Sequence, residues 1–219
     1  MRKNALPILV ICFLICTTGC SSVQKYFLKP SPVPLSGSVL FSDDFSTTDN
    51  EWKSWNEANA MVIYQAGGLH FLINEPDVVY WSRPGYKFED VKIQADAIKV
   101  SGPNNNSFGV ICRMVDDQNF YAFLISSDGY SGILRVFEGK FDLLNNADLE
   151  FSSAIAKGDS LNQITAECSG DRLSLAVNGQ TLFQVQDATF TSGDVGFIAT
   201  SYNEIGVDIL FDNMVVFQP

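Results

Sequence analysis

The residues of this 219-residue chain best suited to hold a small ligand lie in Tyr80-Trp81-Ser82-Arg83-Pro84-Gly85-Tyr86. Aromatic faces stack on the apolar C–H faces of sugar rings, and a few directional polar groups then fix the orientation. Trp52, Trp55, Tyr80, Trp81, Arg83, Tyr86, Arg113, Tyr121 and Tyr130 supply both kinds. The expected ligand-binding set is Tyr80, Trp81, Arg83, Tyr86, Arg113 and Tyr121. Ser-Arg-Pro-Gly suits an exposed turn, so the cluster reads as a binding loop. Trp81 or Tyr86 is then partly solvent-accessible, and Arg83 lies within reach of a hydroxylated ligand. The competing reading for any single ring is that it fills an aromatic-rich core; Phe108, Phe120, Phe123 and Phe137 are assigned there.

Other chemistries find little support. The one histidine, His70, sits among apolar neighbours in Gly-Gly-Leu-His-Phe-Leu-Ile and reads as structural. No serine elbow or reactive-cysteine motif accompanies it. Structural zinc sites take four nitrogen or sulfur ligands, so the domain's one histidine and two cysteines do not assemble a typical zinc site. Gly67-Gly68 reads as a hairpin turn and not as a phosphate loop.

The elements that position these residues begin with the N-terminus. Arg2 and Lys3 precede a twelve-residue apolar run, Ala5 to Cys16, broken only by Pro7. Crossing a bilayer takes about 20 apolar residues, so the run fits the h-region of a signal peptide. Thr17-Thr18-Gly19-Cys20 resembles a lipobox, in which the cysteine thiol takes a diacylglycerol and becomes the new N-terminus. Thr17 departs from the usual leucine; the alternative is an ordinary cleaved signal with an incidental cysteine. Ser21, in place of aspartate, resembles outer-membrane sorting where the host has two membranes. The expected organisation is a signal over residues 1–19, the lipidated Cys20 with a Pro/Ser-rich tether over 20–38, and one domain over 39–219. Lys29 to Ser38 carries three alternating prolines, which favour an extended spacer. This places the protein in the cell envelope, lipid-anchored and facing away from the cytoplasm.

The chain holds 14 basic and 25 acidic residues; losing residues 1–19 removes two bases and no acid, which takes the net charge from −11 to −13. Such a surface repels phosphate backbones, and no basic stripe offsets it, so nucleic acid is excluded as a partner. Of five cysteines, Cys112 and Cys168 lie in the domain, in apolar strand-like contexts. They either pair across the fold, as export permits, or serve as two small buried hydrophobes.

Apolar residues recur with a period of two, and turn residues every eight to twelve positions, which predicts a β-sandwich without a long helix. The clearest unit is Leu173 to Val185 about Asn178-Gly179, the dipeptide of a type I′ turn. Pairing there sets Val177 opposite Gln180 and Leu175 opposite Leu182, with Leu173, Leu175, Val177 and Leu182 facing the core. Val91 to Val100 alternates Val91, Ile93, Ala95 and Ala97 against Lys92, Gln94, Asp96 and Ile98. Asn145 to Ala156 is the least regular stretch, with room for a short helical turn.

Val39-Leu40-Phe41-Ser42-Asp43-Asp44-Phe45 followed by Trp52, then Phe108 to Gly129, then Arg172 to Val185, Ser192 to Ala199 and Ile209 to Phe217 together resemble the concanavalin A-like lectin/glucanase superfamily. Within it, the chain is similar to the laminin-G-like and 3-keto-disaccharide-hydrolase-like domains. The resemblance covers nearly all of residues 39–217 and implies a jelly-roll sandwich of two antiparallel sheets. It specifies a fold and not an activity. The family 16 glucanases carry Glu-x-Asp-x-x-Glu on one strand; the nearest match, Glu75-Pro76-Asp77-Val78-Val79-Tyr80, replaces the third acid by Tyr80 and places Pro76 where a central strand needs a donor. Many domains of this superfamily bind one structural calcium, and Asp43 and Asp44 in the first strand with Asp208 and Asp212 in the last would be its ligands here. The plainer reading is that these acids are solvated strand-edge residues; no other cofactor is implied. The expected function is a non-catalytic, surface-anchored module binding extracellular or cell-wall carbohydrate. A glycoside hydrolase and a structural lipoprotein are the alternatives.

Overall fold

The computed structural model describes residues 37–219. The expected signal segment, Cys20 and most of the tether lie outside the described residues. Those described form an all-β jelly-roll sandwich, and every strand pairing in it is antiparallel. One sheet runs β14 (Gln180–Gln186), β13 (Arg172–Val177), β12 (Asn162–Ser169), β6 (Val91–Ser101), β16 (Val207–Phe217), β4 (Gly68–Ile73), β3 (Ala60–Gln65), β2 (Trp55–Asn56), with β1 (Val39–Asp43) also on β16. The other runs β10 (Lys140–Leu143), β9 (Tyr130–Phe137), β8 (Asn119–Ser126), β7 (Ser107–Asp116), β15 (Asp194–Ser201), β5 (Val78–Ser82), with β11 (Glu150–Phe151) on β9.

The alternation read from the sequence decides what each strand buries. Val91, Ile93, Ala95 and Ala97 of β6 face the core between the sheets, as do Leu173, Leu175 and Val177 of β13. A column of rings runs through that core: Trp52 stacks on Phe197 at 4.9 Å, and Phe197 on Phe211 at 4.2 Å. Cys112 of β7 and Cys168 of β12 form a disulfide that ties the two sheets together, with their Cα atoms 6.8 Å apart.

β16 is the seam of the larger sheet. One edge pairs with β6; the other pairs first with β4, over Val207 to Phe211, and then with β1, over Met214 to Phe217. A bulge between Asp212 and Val215, with Asn213 at φ 51°, marks the change of partner.

Three expectations need correction. Asn178 and Gly179 both take positive φ, 51° and 83°, as a type I′ turn demands. However, a bulge in β14 sets Leu175 opposite Phe183, not Leu182. The extra residue twists this edge strand, so that Leu182 and Phe183 both half-bury against the core. Phe137 is 42% exposed, unlike Phe108, Phe120 and Phe123, because it ends β9 at the hairpin to β10 and only its neighbour Phe190 shelters it. Asn145 to Ala156 holds no helix; it folds as turns around β11, pinned where Asn145 Oδ1 accepts the Ile133 N–H at 2.8 Å.

Candidate functional site

Tyr80 and Trp81 stand on a strand and not in a loop. Val78-Val79-Tyr80-Trp81-Ser82 is β-branched and aromatic, which favours strand geometry; β5 pairs with β15 and forms one edge of its sheet. Only beyond Ser82 do Pro84 and Gly85, at φ 90°, turn the chain away. Alternation sends the two rings to opposite faces of that edge. Trp81 lies on the outer face, 5.7 Å from Phe120, and its Nε1–H donates to Asp117 Oδ1 at 3.1 Å. Tyr80 lies on the inner face, 5.8 Å from Trp55, and its hydroxyl donates to Glu75. That bond, with partial burial, pushes the Tyr80 hydroxyl up to about 12.

The segment leading into β2 is laced to the same edge. The Lys53 N–H donates to the Arg83 carbonyl at 3.1 Å, and the Ser82 hydroxyl to the Lys53 carbonyl at 2.7 Å. Between them opens a cleft of about 370 Å³ lined by Lys53, Trp55, Glu57, Val79, Tyr80, Trp81 and Asp117. Three rings and a few charged groups around an open cleft are the elements of a sugar-binding site. Lys53, Glu57 and Asp117 were missed from sequence, because single charges in connecting segments show no periodicity that points at a site.

The remaining expected ligand residues divide. Tyr86 is 48% exposed and rests on Phe41 at 5.1 Å, beyond the cleft, with Arg83 between. Arg113 and Tyr121 belong to the interior. Arg113, 1% exposed and at φ 52°, donates to the carbonyls of Glu89 (3.2 Å), Gly170 (2.8 Å) and Phe190 (2.9 Å) and to Asp90 Oδ1 (2.8 Å). It braces three loops, with four of its five N–H donors engaged there and the side chain closed off from solvent. Tyr121 is fully buried; its hydroxyl donates to Asp187 Oδ1 at 2.5 Å and accepts the Phe190 N–H at 3.1 Å. Burial, and then the Asp187 bond, push it up to about 12. Trp52 is likewise core, its Nε1–H donating to Asp43.

Of the four acids expected to share a calcium, Asp43 and Asp44 line a cleft close to Asp212, and Asp208 stands apart. Asp208 is bound to His70 Nδ1 at 2.8 Å, four residues from Asp212, or about 13 Å along an extended strand. Asp43 accepts the Phe45 N–H at 2.7 Å and the Trp52 Nε1–H at 2.9 Å, so both of its oxygens are engaged. Asp44 accepts the Ser46 hydroxyl and N–H, which hold its carboxyl below the usual range. Among the described residues no three His, Cys, Asp or Glu side chains gather as a metal site. Asp212 does face a second acid that was missed: Asp96 lies directly opposite it in the β6–β16 register. Both are buried beside a cleft of about 480 Å³ under the segment after β1, which also exposes Asp49 and Asn50 to it. Asp96 Oδ2 accepts the Asn213 Nδ2–H at 3.0 Å, while Asp96 Oδ1 is buried without a partner. Burial, and then the field of Asp96, Asp44 and Asp43, push the Asp212 carboxyl up to about 7.

The acids of the partial match to the glucanase motif do not lie on a strand. Glu75-Pro76-Asp77 forms the turn between β4 and β5. On β8 the positions facing away from the core are Phe120, Ala122 and Leu124, part of a second apolar cluster with Ile111, Val136 and Ile198. Acids projecting from one strand into a groove are therefore not available there.

No protein-family model matches the chain, and no curated protein sequence matches it. Solved structures do resemble it. The carbohydrate-binding module CBM66 from Bacillus subtilis matches at TM-score 0.61 and 14% identity, over 76% of this chain and 94% of that one. The β-glucanase of Bacillus licheniformis matches at 0.61 and 11%, over 84% and 100%. A Bacillus subtilis protein of unknown function with a galectin-like fold matches at 0.60 and 13%, over 83% and 96%. At such identities the likeness is one of fold: this chain shares with these structures a jelly-roll sandwich of two antiparallel sheets.

Proposed function

We propose that the protein is a non-catalytic glycan-binding module, held at the cell envelope by a lipid on Cys20. The observation that carries this reading is the cleft on the β5 edge, which Trp55 and Tyr80 line from the inner side and Trp81 from the outer, together with Lys53, Glu57 and Asp117. The rings offer stacking faces at a sheet edge, and the charged groups offer directional bonds to hydroxyls. Hydrolysis is the weaker reading, although Glu57 and Asp117 share the cleft. Asp117 accepts the Trp81 indole N–H and its side chain is 52% exposed, so one of its oxygens is already engaged and the group stands open to water. The fold likeness to a carbohydrate-binding module agrees with binding but does not decide it.

The test is a glycan array probed with the soluble domain, followed by titration of the hits with Trp81→Ala. Loss of the ring should weaken binding roughly tenfold, while costing stability only about 1–2 kcal/mol because the side chain is half-buried, against about 3–5 for a core tryptophan. A variant that unfolds with the loss expected of a core residue, or that binds as the native chain does, returns Trp81 to a structural role. For the anchor, Cys20→Ser should abolish lipid labelling and release the protein from membranes; retention of that variant defeats the lipoprotein reading.

A further inference from the structure

Arg83 differs from the other arginines in what it holds. Arg113 and Arg135 each reach a carboxylate within 2.8 Å, and Arg172 closes tightly on Glu167. The Arg83 side chain is 31% exposed, yet its nearest carboxylate oxygen is Asp117 Oδ1 at 3.8 Å, an atom already taken by the Trp81 indole. That distance is too long for a hydrogen bond, and among the described residues the guanidinium has no other bonding partner. A guanidinium offers five donors in a planar fork. Two thirds of the Arg83 side chain is covered while none of its nitrogens is buried, so the fork keeps donors open to a ligand.

Three acids surround Arg83 without closing on it, and each is engaged elsewhere. Asp194 accepts the N–H groups of Gly85 (2.9 Å), Tyr86 (3.0 Å) and Val195 (2.9 Å). Asp116 accepts the Gln118 N–H and the Asn119 amide. Asp117 holds Trp81. Beside Arg83 lies a second hollow of about 260 Å³, walled by Arg83, Lys87, Tyr86, Val115, Ser192 and Asp194, the last with its oxygens turned to the backbone N–H groups of Gly85, Tyr86 and Val195. Lys87 is exposed and, among the described residues, pairs with no acid. Two cations with unfilled donors thus share one hollow in a chain of 25 acids and 14 bases.

We propose that this hollow is the carboxylate subsite of the same binding surface, and that the glycan it takes carries uronic acid units. A planar guanidinium matches a carboxylate with two parallel N–H···O bonds. The ring bearing that carboxylate lies against Tyr86, the neighbouring ring of the chain stacks in the Trp55–Tyr80–Trp81 cleft, and Arg83 stands at the junction. The inference rests on the glycan-binding reading and adds to it the charge of the ligand. Long-range repulsion from the acidic surface slows association of such a glycan but is screened within about 10 Å at 0.1 M salt, so selectivity lies in the contact.

The test uses β-1,3-glucan, β-1,4-glucan and β-1,4-mannan tetrasaccharides, each beside its C6-oxidised uronate counterpart, titrated calorimetrically into the soluble domain. At least one uronate should bind about tenfold more tightly than its neutral twin. Arg83→Gln should bring that ratio close to one and Lys87→Gln should lower it, with Lys140→Gln, on β10, as the control. Trp81→Ala should weaken both members of the pair. Neutral binding with no uronate preference, or a preference that survives Arg83→Gln, overturns the subsite while leaving the glycan-binding reading intact. Failure of every member of the panel to bind, neutral and charged alike, counts against both.

Discussion

Asp212→Asn tests the buried acid pair, and its sign can be worked out beforehand. In the folded chain the Asp212 carboxyl is pushed up to about 7, from an ordinary 3.8. The folded state therefore binds a proton that the unfolded state releases, and stability falls as pH rises between about 4 and 7. Below that window both states are protonated and the penalty vanishes; above it the penalty is complete. A shift of about three units sets a ceiling of roughly 4 kcal/mol. Part of the repulsion passes to Asp96 whichever acid keeps the proton, so about 2 kcal/mol is the working figure. Asparagine keeps the acceptor that now takes the Asn213 N–H at 2.7 Å. It also turns an N–H₂ toward the opposite strand, where Asp96 Oδ1 lacks a partner. The variant should therefore melt about 4–8 °C above the native protein at pH 8, and the gap should close toward pH 4. Calorimetric scans at one-unit intervals, in the presence of a chelator so that no stray cation offsets the charge, provide the assay. A melting difference independent of pH, or a variant less stable at pH 8, would refute the reasoning.

Gly179→Val should cost about 1–3 kcal/mol, read by urea denaturation; no atom lies within 4 Å of the added Cβ, so the whole loss comes from forcing a β-branched residue to φ 83°. Cys112→Ala with Cys168→Ala should lower stability by about 4 kcal/mol, the loop-closure value for a 56-residue separation, and an unchanged melt would show that the bond does not form in solution. Arg113→Met should cost about 3–5 kcal/mol, because it leaves Asp90 and three loop carbonyls without their donor; a loss below 1 kcal/mol would remove the arginine from its bracing role.

What the sequence made legible was local and repetitive. Alternation in Val91 to Val100 and the Asn178-Gly179 turn depend on neighbours within a strand or hairpin, and both lie as expected. The bulge that moves Phe183 opposite Leu175 depends on one unpaired residue and leaves no mark in the pattern. Tyr80 and Trp81 were misplaced in a loop, since Pro84-Gly85 lies only two residues beyond Ser82 and drew the assignment toward itself. Arg113 and Tyr121 have the side chains of a binding site and serve as interior braces; residue type alone does not separate these roles, because both need unsatisfied polar partners. Asp96 was hidden for the opposite reason. In an alternating strand an acid on the outer side reads as solvated, and only the register with β16 and the segment after β1 show that it is covered.

The position of β16 has a consequence for the order of events in folding. It is the last strand in sequence, yet it lies inside the larger sheet, with β6 on one side and β4 and β1 on the other. Until it arrives, β1 has no partner at all, and β3–β4 and β6–β12–β13–β14 are two fragments, each with an unprotected edge. Without residues 207–217 the larger sheet is left in pieces, and the pairing of Val39 with Phe217 joins residues from opposite ends of the domain. Loop closure over such separations makes folding slow. The larger sheet is thus closed along a single strand, the one that lies at its seam.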